Sequence, residues 1–238
     1  MIEVNEMEKL MVVEDEASIR GFIVLSLKHA GFDVLEAETG EEALRIFKRE
    51  PSVHIVLLDV MLPGMSGFDV CEQMRKLKSA VGIILLTAKI QETDKVHGLG
   101  IGADDYITKP FSPAEMIARV QALLRRLNGN EINADSEYIV SSVFKLSKKN
   151  EQFFKNDQLI ELTPTEFTLI KTLMENENGL LSRDELLDRV WGKNFVGDAK
   201  IVDVNIRRLR QKIEDEPSEP SYIMTHWGRG YFWNGGKA

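Results

Sequence analysis

Cysteine is nearly absent from this chain of 238 residues. As the one thiol, Cys71 cannot form an internal disulfide, which fits a reducing compartment and leads us to expect a cytoplasmic protein. It falls in a predicted helix, where a buried structural thiol outweighs a redox sensor. No run of about 18 apolar residues occurs, so neither a spanning helix nor a membrane partner is expected. Residues 1–9 are acidic and carry no apolar stretch, which argues against a secretory signal. Internal repeats and low-complexity tracts are missing as well. So is any excess of positive charge: 30 Lys and Arg face 38 Asp and Glu, net −8, which by itself argues against nucleic acid.

The local picture differs from the total. Residues 1–127 hold 15 Lys and Arg against 20 Asp and Glu, and residues 128–238 hold 15 against 18, so both halves are acidic. Yet residues 200–212 carry Lys200, Arg207, Arg208, Arg210 and Lys212 against Asp203 alone. A patch, not a sum, makes an electrostatic footprint. Ordinary apolar content and this length give two domains, each with its own core, as the first expectation.

Four apolar runs end in polar residues. Leu10-Met11-Val12-Val13 leads into Glu14 and Asp15, and Ile55-Val56-Leu57-Leu58 into Asp59. Ile83-Ile84-Leu85-Leu86 leads into Thr87, and Tyr106-Ile107-Thr108 into Lys109 and Pro110. Between them lie a short strand at 34–37 and helical spacings, such as Ile19, Phe22, Ile23 and Leu27, with further helices near 68–77 and 93–101. Five strands alternating with helices predict an α/β fold, a five-stranded parallel, doubly wound (flavodoxin-like) sheet with right-handed crossovers. The last helix of this half starts with Ser112 as N-cap, Pro113 at N1 and Glu115 at N3.

Residues 128–137 are polar and rich in glycine and asparagine, and read as a linker between domains at 1–127 and 138–238. The second domain opens with short strands around Val140, Phe144, Phe153 and Ile160. Two further capping boxes, Thr163 with Glu166 and Ser182 with Glu185, begin helices at 164–175 and 183–190. A third helix spans about 200–214, and residues 222–233 read as a hairpin turning at glycines.

In a parallel α/β sheet, ligands bind at the carboxyl ends of the strands. Carboxylates, a hydroxyl and an ammonium gathered there suit Mg²⁺ and a phosphoryl group. Asp59 is the candidate nucleophile. Glu14, Asp15, Asp59 and the Met61 carbonyl are candidate ligands, Lys109 supplies positive charge and Thr87 a hydroxyl donor. Solvated strand-end charges are the bland alternative. An aspartyl-phosphate phosphatase is the enzymatic one, but it wants a second acid or base beside the nucleophile, and Val60 and Met61 offer none. An enzyme is therefore not expected.

On a helical wheel over 200–213, Val202, Ile206, Leu209 and Ile213 face a core, while Lys200, Val204, Arg207, Arg208 and Gln211 lie roughly opposite. An outward face rich in guanidinium reads as helix-turn-helix-like recognition, with a solvated basic face as the alternative.

Val12-Val13-Glu14-Asp15-Glu16, Leu57-Leu58-Asp59-Val60-Met61-Leu62-Pro63-Gly64, Leu86-Thr87-Ala88 and Asp104-Asp105-Tyr106-Ile107-Thr108-Lys109-Pro110 resemble the receiver domain of bacterial two-component response regulators, across 8–127. The resemblance implies that a sensor histidine kinase phosphorylates Asp59 with Mg²⁺, that Thr87 and Tyr106 form a switch pair with Tyr106 turning inward, and that the Lys109–Pro110 bond is cis. Residues 201–213, Gly228-Arg229-Gly230-Tyr231, Leu162-Thr163-Pro164-Thr165-Glu166-Phe167 and Val190-Trp191-Gly192 resemble the winged helix-turn-helix, an α+β effector, of OmpR/PhoB-type regulators. That implies a long helix in the major groove of double-stranded DNA, a wing reaching the minor groove, and a loop at 191–199 that can touch RNA polymerase. The implied DNA-binding residues are Lys200, Asp203, Val204, Asn205, Arg207, Arg208, Arg210, Arg229 and Tyr231. Asn205 and Trp227 depart from the His and Arg common in the family. The resemblance also implies a homodimer formed on phosphorylation, through pairs Lys95–Glu115, Asp105–Arg119 and Asp104–Arg126. A phosphorylation-controlled transcription regulator is expected. A phosphorylation-independent dimeric DNA-binding regulator is the alternative.

Overall fold

The structure, a computed structural model, describes residues 7–88, 101–127, 137–193, 195 and 198–235. The expected helix at 93–101, with Lys95, and most of the expected linker lie outside these residues. The chain divides into two compact units, Met1–Leu124 and Arg125–Ala238.

In the first unit, strands β1 (Lys9–Val13), β2 (Asp33–Ala37), β3 (Val53–Asp59), β4 (Gly82–Thr87) and β5 (Asp105–Thr108) form one sheet in the order β2-β1-β3-β4-β5. Every pairing is parallel. Near-continuous Val, Ile and Leu make β3 and β4 buried along almost their whole length, as strands covered on both faces must be. The described helices are α1 (Ala17–His29), α2 (Gly40–Arg49), α3 (Gly67–Leu77) and α4 (Pro113–Leu127). Thr39 and Ser66 cap α2 and α3 by accepting from Glu42 and Asp69 N–H, and Ser112 accepts from Glu115 N–H as its spacing predicts. The chain leaves β1 toward β2 on one side and later returns to β3 on the other. That reversal opens a crevice at the carboxyl ends of β1 and β3.

The second unit is a winged helix-turn-helix. A four-stranded antiparallel sheet, β6 (Tyr138–Ser141), β7 (Phe144–Ser147), β8 (Gln152–Lys155) and β9 (Gln158–Ile160), precedes helices α5 (Pro164–Glu175), α6 (Arg183–Val190) and α7 (Lys200–Ile213). The hairpin β10 (Ile223–His226) and β11 (Gly230–Trp233) ends the fold. Both expected capping boxes are formed, at Thr163 with Glu166 and at Ser182 with Glu185. Phe144 stacks on Phe153 at 5.4 Å and meets Trp233 edge-on at 5.2 Å. The buried Trp233 indole donates to Ser141 Oγ at 2.9 Å, so its polar atom is satisfied. Tyr231 exchanges backbone hydrogen bonds with Leu181, which ties the wing to the start of α6. Gly230 is required there: its φ is +145°, and a Cβ would overlap the Leu181 carbonyl oxygen.

Candidate functional site

The strand-end residues converge. Asp59 closes β3 and is 4% exposed; Glu14, just past β1, is 1% exposed; Asp15 beside it is open to solvent. One carboxylate oxygen from each of Glu14, Asp15 and Asp59 lies within 4.8 Å of the other two. Lys109, just past β5, spans the pair, its Nζ donating to Glu14 Oε2 at 2.7 Å and to Asp59 Oδ2 at 2.9 Å. The other Asp59 oxygen accepts the Met61 N–H at 3.2 Å. Gly67 closes the floor, since a Cβ there would overlap the Asp59 carbonyl oxygen. The Lys109–Pro110 bond is cis.

Electrostatics follow from this geometry. Burial raises the Glu14 carboxyl above the ordinary range; the Asp59 charge adds to this, against the lowering hydrogen bond from Lys109. For Lys109, burial pulls the ammonium down, but the hydrogen bonds and charges of Glu14 and Asp59 together outweigh it, and the pKa ends above the usual lysine value. A half-buried ammonium is thus locked between two crowded carboxylates. Hard oxygen donors held this closely fit a divalent cation of the Mg²⁺ kind, which relieves the same repulsion. Thr87 ends β4 and is buried; its hydroxyl donates to the Ala88 carbonyl at 3.0 Å. Tyr106 is also buried, 7% exposed.

Sequence reasoning missed Arg20. From α1 its guanidinium donates to the Glu14 carbonyl at 2.8 Å and the Asp15 carbonyl at 3.3 Å, and pairs with Glu38 at 2.7 Å. It clamps the backbone that presents two of the three carboxylates. The available signal was an arginine five residues after Asp15, facing two acids at the end of β2, Glu36 and Glu38.

Two expectations about charged residues need correction. Asp104 was expected to pair with Arg126 of a second copy. Instead its carboxylate is fully buried, pairs with Arg75, and accepts the Ile83 N–H at 2.9 Å. Arg75 also holds the Gly102 carbonyl at 2.7 Å and the Ser79 carbonyl at 2.8 Å, so the pair staples the starts of β4 and β5 to the end of α3. Arg126 lies in the last turn of α4. Arg119 pairs with Asp105 at 3.2 Å and with Glu115 at 3.0 Å inside its own chain.

The second correction concerns α7. Val202, Ile206, Leu209 and Ile213 are buried, as the wheel predicts, and Lys200 and Arg207 are exposed. Val204 and Arg208, placed outward by the same wheel, are buried at 9% and 7% exposure. Arg208 turns inward onto the fully buried Glu166 at 2.8 Å, because that α5 carboxylate needs a cation. Asn205 is fully buried and donates to the Ile201 carbonyl at 2.8 Å. Asp203 accepts from Arg183 at 2.8 Å and from the Tyr231 hydroxyl at 2.7 Å; burial first, then that hydrogen bond, pushes the Tyr231 hydroxyl up to about 12. Arg210 donates to the Ile223 carbonyl at 2.6 Å and to Thr225 Oγ1 at 2.7 Å. Asp203, Arg210 and Tyr231 therefore fasten the wing to α7, while Lys200, Arg207 and Arg229 remain open to solvent.

Residues 10–121 match the family described as response regulator receiver domain, and residues 156–233 the one described as transcriptional regulatory protein, C terminal. The sensory transduction protein RegX3 of Mycolicibacterium smegmatis is 42% identical over 226 residues, covering 94% of this chain and 98% of that one. Among solved structures, a RitR mutant is 27% identical, with 96% of this chain and all of that chain covered and a TM-score of 0.77. DrrB of Thermotoga maritima, described as an OmpR/PhoB homolog, is 33% identical over 96% of this chain and 99% of that one, at a TM-score of 0.51. Among the described residues, no helix is long and apolar enough to cross a membrane.

Proposed function

The chain belongs to the two-component response regulators of the OmpR/PhoB type, a receiver joined to a C-terminal DNA-binding domain, and from that premise we propose that phosphoryl transfer to Asp59 controls how it pairs and binds DNA to regulate transcription. The observation that carries this reading is the Glu14–Asp15–Asp59 cluster bridged by Lys109. An Asp59 carboxylate oxygen attacks the phosphorus of a phosphohistidine on a sensor histidine kinase. The O–P bond forms, the P–N bond breaks, and the imidazole leaves and takes up a proton. Lys109 holds a phosphoryl oxygen by charge, and the Thr87 hydroxyl exchanges its Ala88 acceptor for another phosphoryl oxygen. Glu14, Asp15, Asp59 and the Met61 carbonyl would hold Mg²⁺, which supplies charge neutralisation for the carboxylates and the incoming phosphoryl group. Tyr106, buried two residues before the Thr108–Lys109 strand end, reads as the partner of Thr87 in the switch. The protein is a regulator rather than a metabolic enzyme.

The receiver occupies 1–127, the linker 128–137 and the effector 138–238 in this reading, in the cytoplasm. Lys200 and Arg207 on α7 and Arg229 on the wing are its exposed cations for phosphate and base edges, the wing being held by Asp203, Arg210 and Tyr231. RNA polymerase is the further partner, through 191–199. Dimerisation on activation engages Asp105, Glu115, Arg119 and Arg126, with Lys95, which lies outside the described residues, as the expected partner of Glu115, and requires Arg119 to loosen its own-chain pairs. The decisive experiment is selection of bound genomic DNA fragments with and without beryllofluoride and Mg²⁺, beside sedimentation of the same samples. Fragment enrichment and a larger dimer fraction with beryllofluoride are expected. Equal enrichment in both samples would favour the phosphorylation-independent alternative.

Arg20 gives a test of the metal reading without any phosphoryl donor. Partners that orient a metal's ligands typically contribute about ten-fold or more in affinity. Arg20→Gln is expected to raise the Mg²⁺ concentration needed to shift the receiver's thermal midpoint by about that factor, with Arg20→Lys intermediate. A titration identical to that of the unsubstituted protein would remove Arg20 from the site.

A further inference from the structure

A cavity of about 440 Å³ opens beside the phosphoryl site, between the first two turns of α1 and the segment that follows β5. Its lining residues are Ser18, Ile19, Phe22, Lys109, Pro110 and Phe111. Of these only Lys109 is charged, and its Nζ lies 2.9 Å from Asp59 Oδ2. Ser18 is the other polar member, and its hydroxyl donates to Glu16 at 2.5 Å. The rest of the wall is apolar, and Phe22 is 45% exposed. Pockets of this size, apolar apart from a few placed polar groups, are the usual shape of a small-molecule site. Holding a phosphoryl group and a cation makes no use of that wall.

The cavity is therefore amphipathic, and its one cation is the group that also touches the acceptor carboxylate. A ligand that matches it carries an anionic phosphoryl group at one end and an apolar group at the other. Phosphoryl transfer runs roughly in line, so a donor's leaving group lies across phosphorus from the attacking Asp59 oxygen. The cavity offers that leaving group an apolar surface. We propose that it binds the acyl group of a small acyl-phosphate donor and favours apolar acyl chains longer than acetyl. This rests on the reading of Asp59 as the phosphoryl acceptor and adds to it the chemical class of a second donor.

In the transfer, an Asp59 oxygen attacks phosphorus. The new O–P bond forms as the bond from phosphorus to the bridging acyl oxygen breaks, and the acyl carboxylate leaves with that electron pair. A carboxylate leaves as an anion and needs no proton, which suits a nucleophile followed by Val60 and Met61. The acyl chain touches the walls and takes no part in the chemistry, so its burial acts on binding and lowers KM. Each methylene moved wholly out of water is worth about four-fold in affinity. Hexanoyl phosphate carries four more methylenes than acetyl phosphate, worth about 200-fold if all were enclosed. Walls as open as Phe22 give a fraction of that, and about ten-fold is expected.

The test follows phosphoryl uptake by the full chain with Mg²⁺, read by intact mass, against the concentration of acetyl or hexanoyl phosphate. Their carboxylates are equally good leaving groups, so only the tail differs. KM is expected to be about ten-fold lower for hexanoyl phosphate. Phe22→Ala is expected to bring the ratio of the two KM values close to one, and Phe22→Leu to keep most of it. Leu25→Ala removes another exposed apolar side chain of α1, one outside the cavity lining, and is expected to keep the full ratio. Calorimetry with the ketophosphonate analogue of hexanoyl phosphate, in which a methylene replaces the bridging oxygen, should show the same loss of affinity in Phe22→Ala with no transfer taking place. Equal KM values for the two donors, with uptake intact, would overturn the inference and leave the wall to a protein surface such as that of the kinase. So would a ratio unmoved by Phe22→Ala, or one lost equally in Leu25→Ala. No uptake from either donor would reject the reading of Asp59 itself.

Discussion

Asp59→Asn is expected to leave a folded protein that takes up no phosphoryl group from acetyl phosphate and gains no DNA affinity from beryllofluoride. The amide is nearly isosteric with the carboxylate but cannot act as the attacking oxygen, and loss of an essential nucleophile removes chemistry outright. Stability should barely change. The substitution removes one of the two Lys109 contacts, at 2.9 Å, but it also removes the charge that crowds Glu14. The ammonium keeps its 2.7 Å partner, so the thermal midpoint of the receiver should move by less than about 5 °C. Intact-mass measurement after acetyl phosphate treatment and a thermal scan check both halves. Lys109→Ala is the contrasting case: two buried acids then face each other without a cation, and the carboxyl of Glu14, already raised, rises further. Phosphoryl uptake by Asp59→Asn equal to that of the unsubstituted protein would end the assignment of the nucleophile.

The strand-end cluster was legible because each of its parts has a position fixed by one rule. A strand end in a parallel sheet faces the crevice, so Glu14, Asp15, Asp59, Thr87 and Lys109 could be placed by finding where apolar runs stop. Helix starts were legible for a similar reason: Ser112, Thr163 and Ser182 satisfy orphan N–H groups three residues on, a purely local requirement. The effector's basic helix was less legible. A wheel assigns each residue an angle but knows nothing of the surface it packs on. Ile201, Asn205 and Arg208 form a second buried stripe beside the apolar one, and two of its three members are polar, so it carries no hydropathy signal. What draws Arg208 into it is Glu166, a fully enclosed carboxylate on α5, far away in the chain. Asp104 was misread for the same reason. Its charge suggests a surface, whereas the Arg75 guanidinium, 29 residues earlier, and the Ile83 N–H stabilise it in the interior.

Glu166→Ala should therefore be the most damaging substitution outside the receiver, despite touching no ligand. Its carboxylate accepts the Thr163 N–H at 2.8 Å, pairs with Arg208 at 2.8 Å and takes the Lys212 ammonium at 2.7 Å. It closes the capping box of α5 and at once fixes two cations of α7. Removing it takes the 2.8 Å carboxylate from the buried Arg208 guanidinium, and breaking one side of a buried pair costs about 3–5 kcal/mol. In a domain of this size, that lowers the midpoint by more than about 10 °C. Calorimetry on the full chain is expected to show the effector transition moved down and the receiver transition unmoved. Arg208→Met added to Glu166→Leu should recover much of the loss, because an apolar pair of similar volume carries no desolvated charge. DNA binding by the double variant then separates two roles for Arg208. Full affinity would make it an anchor that orients α7, and lost affinity in a restored fold would show that it leaves Glu166 to meet DNA. An effector transition unchanged by Glu166→Ala would mean that α7 is held by its apolar stripe alone.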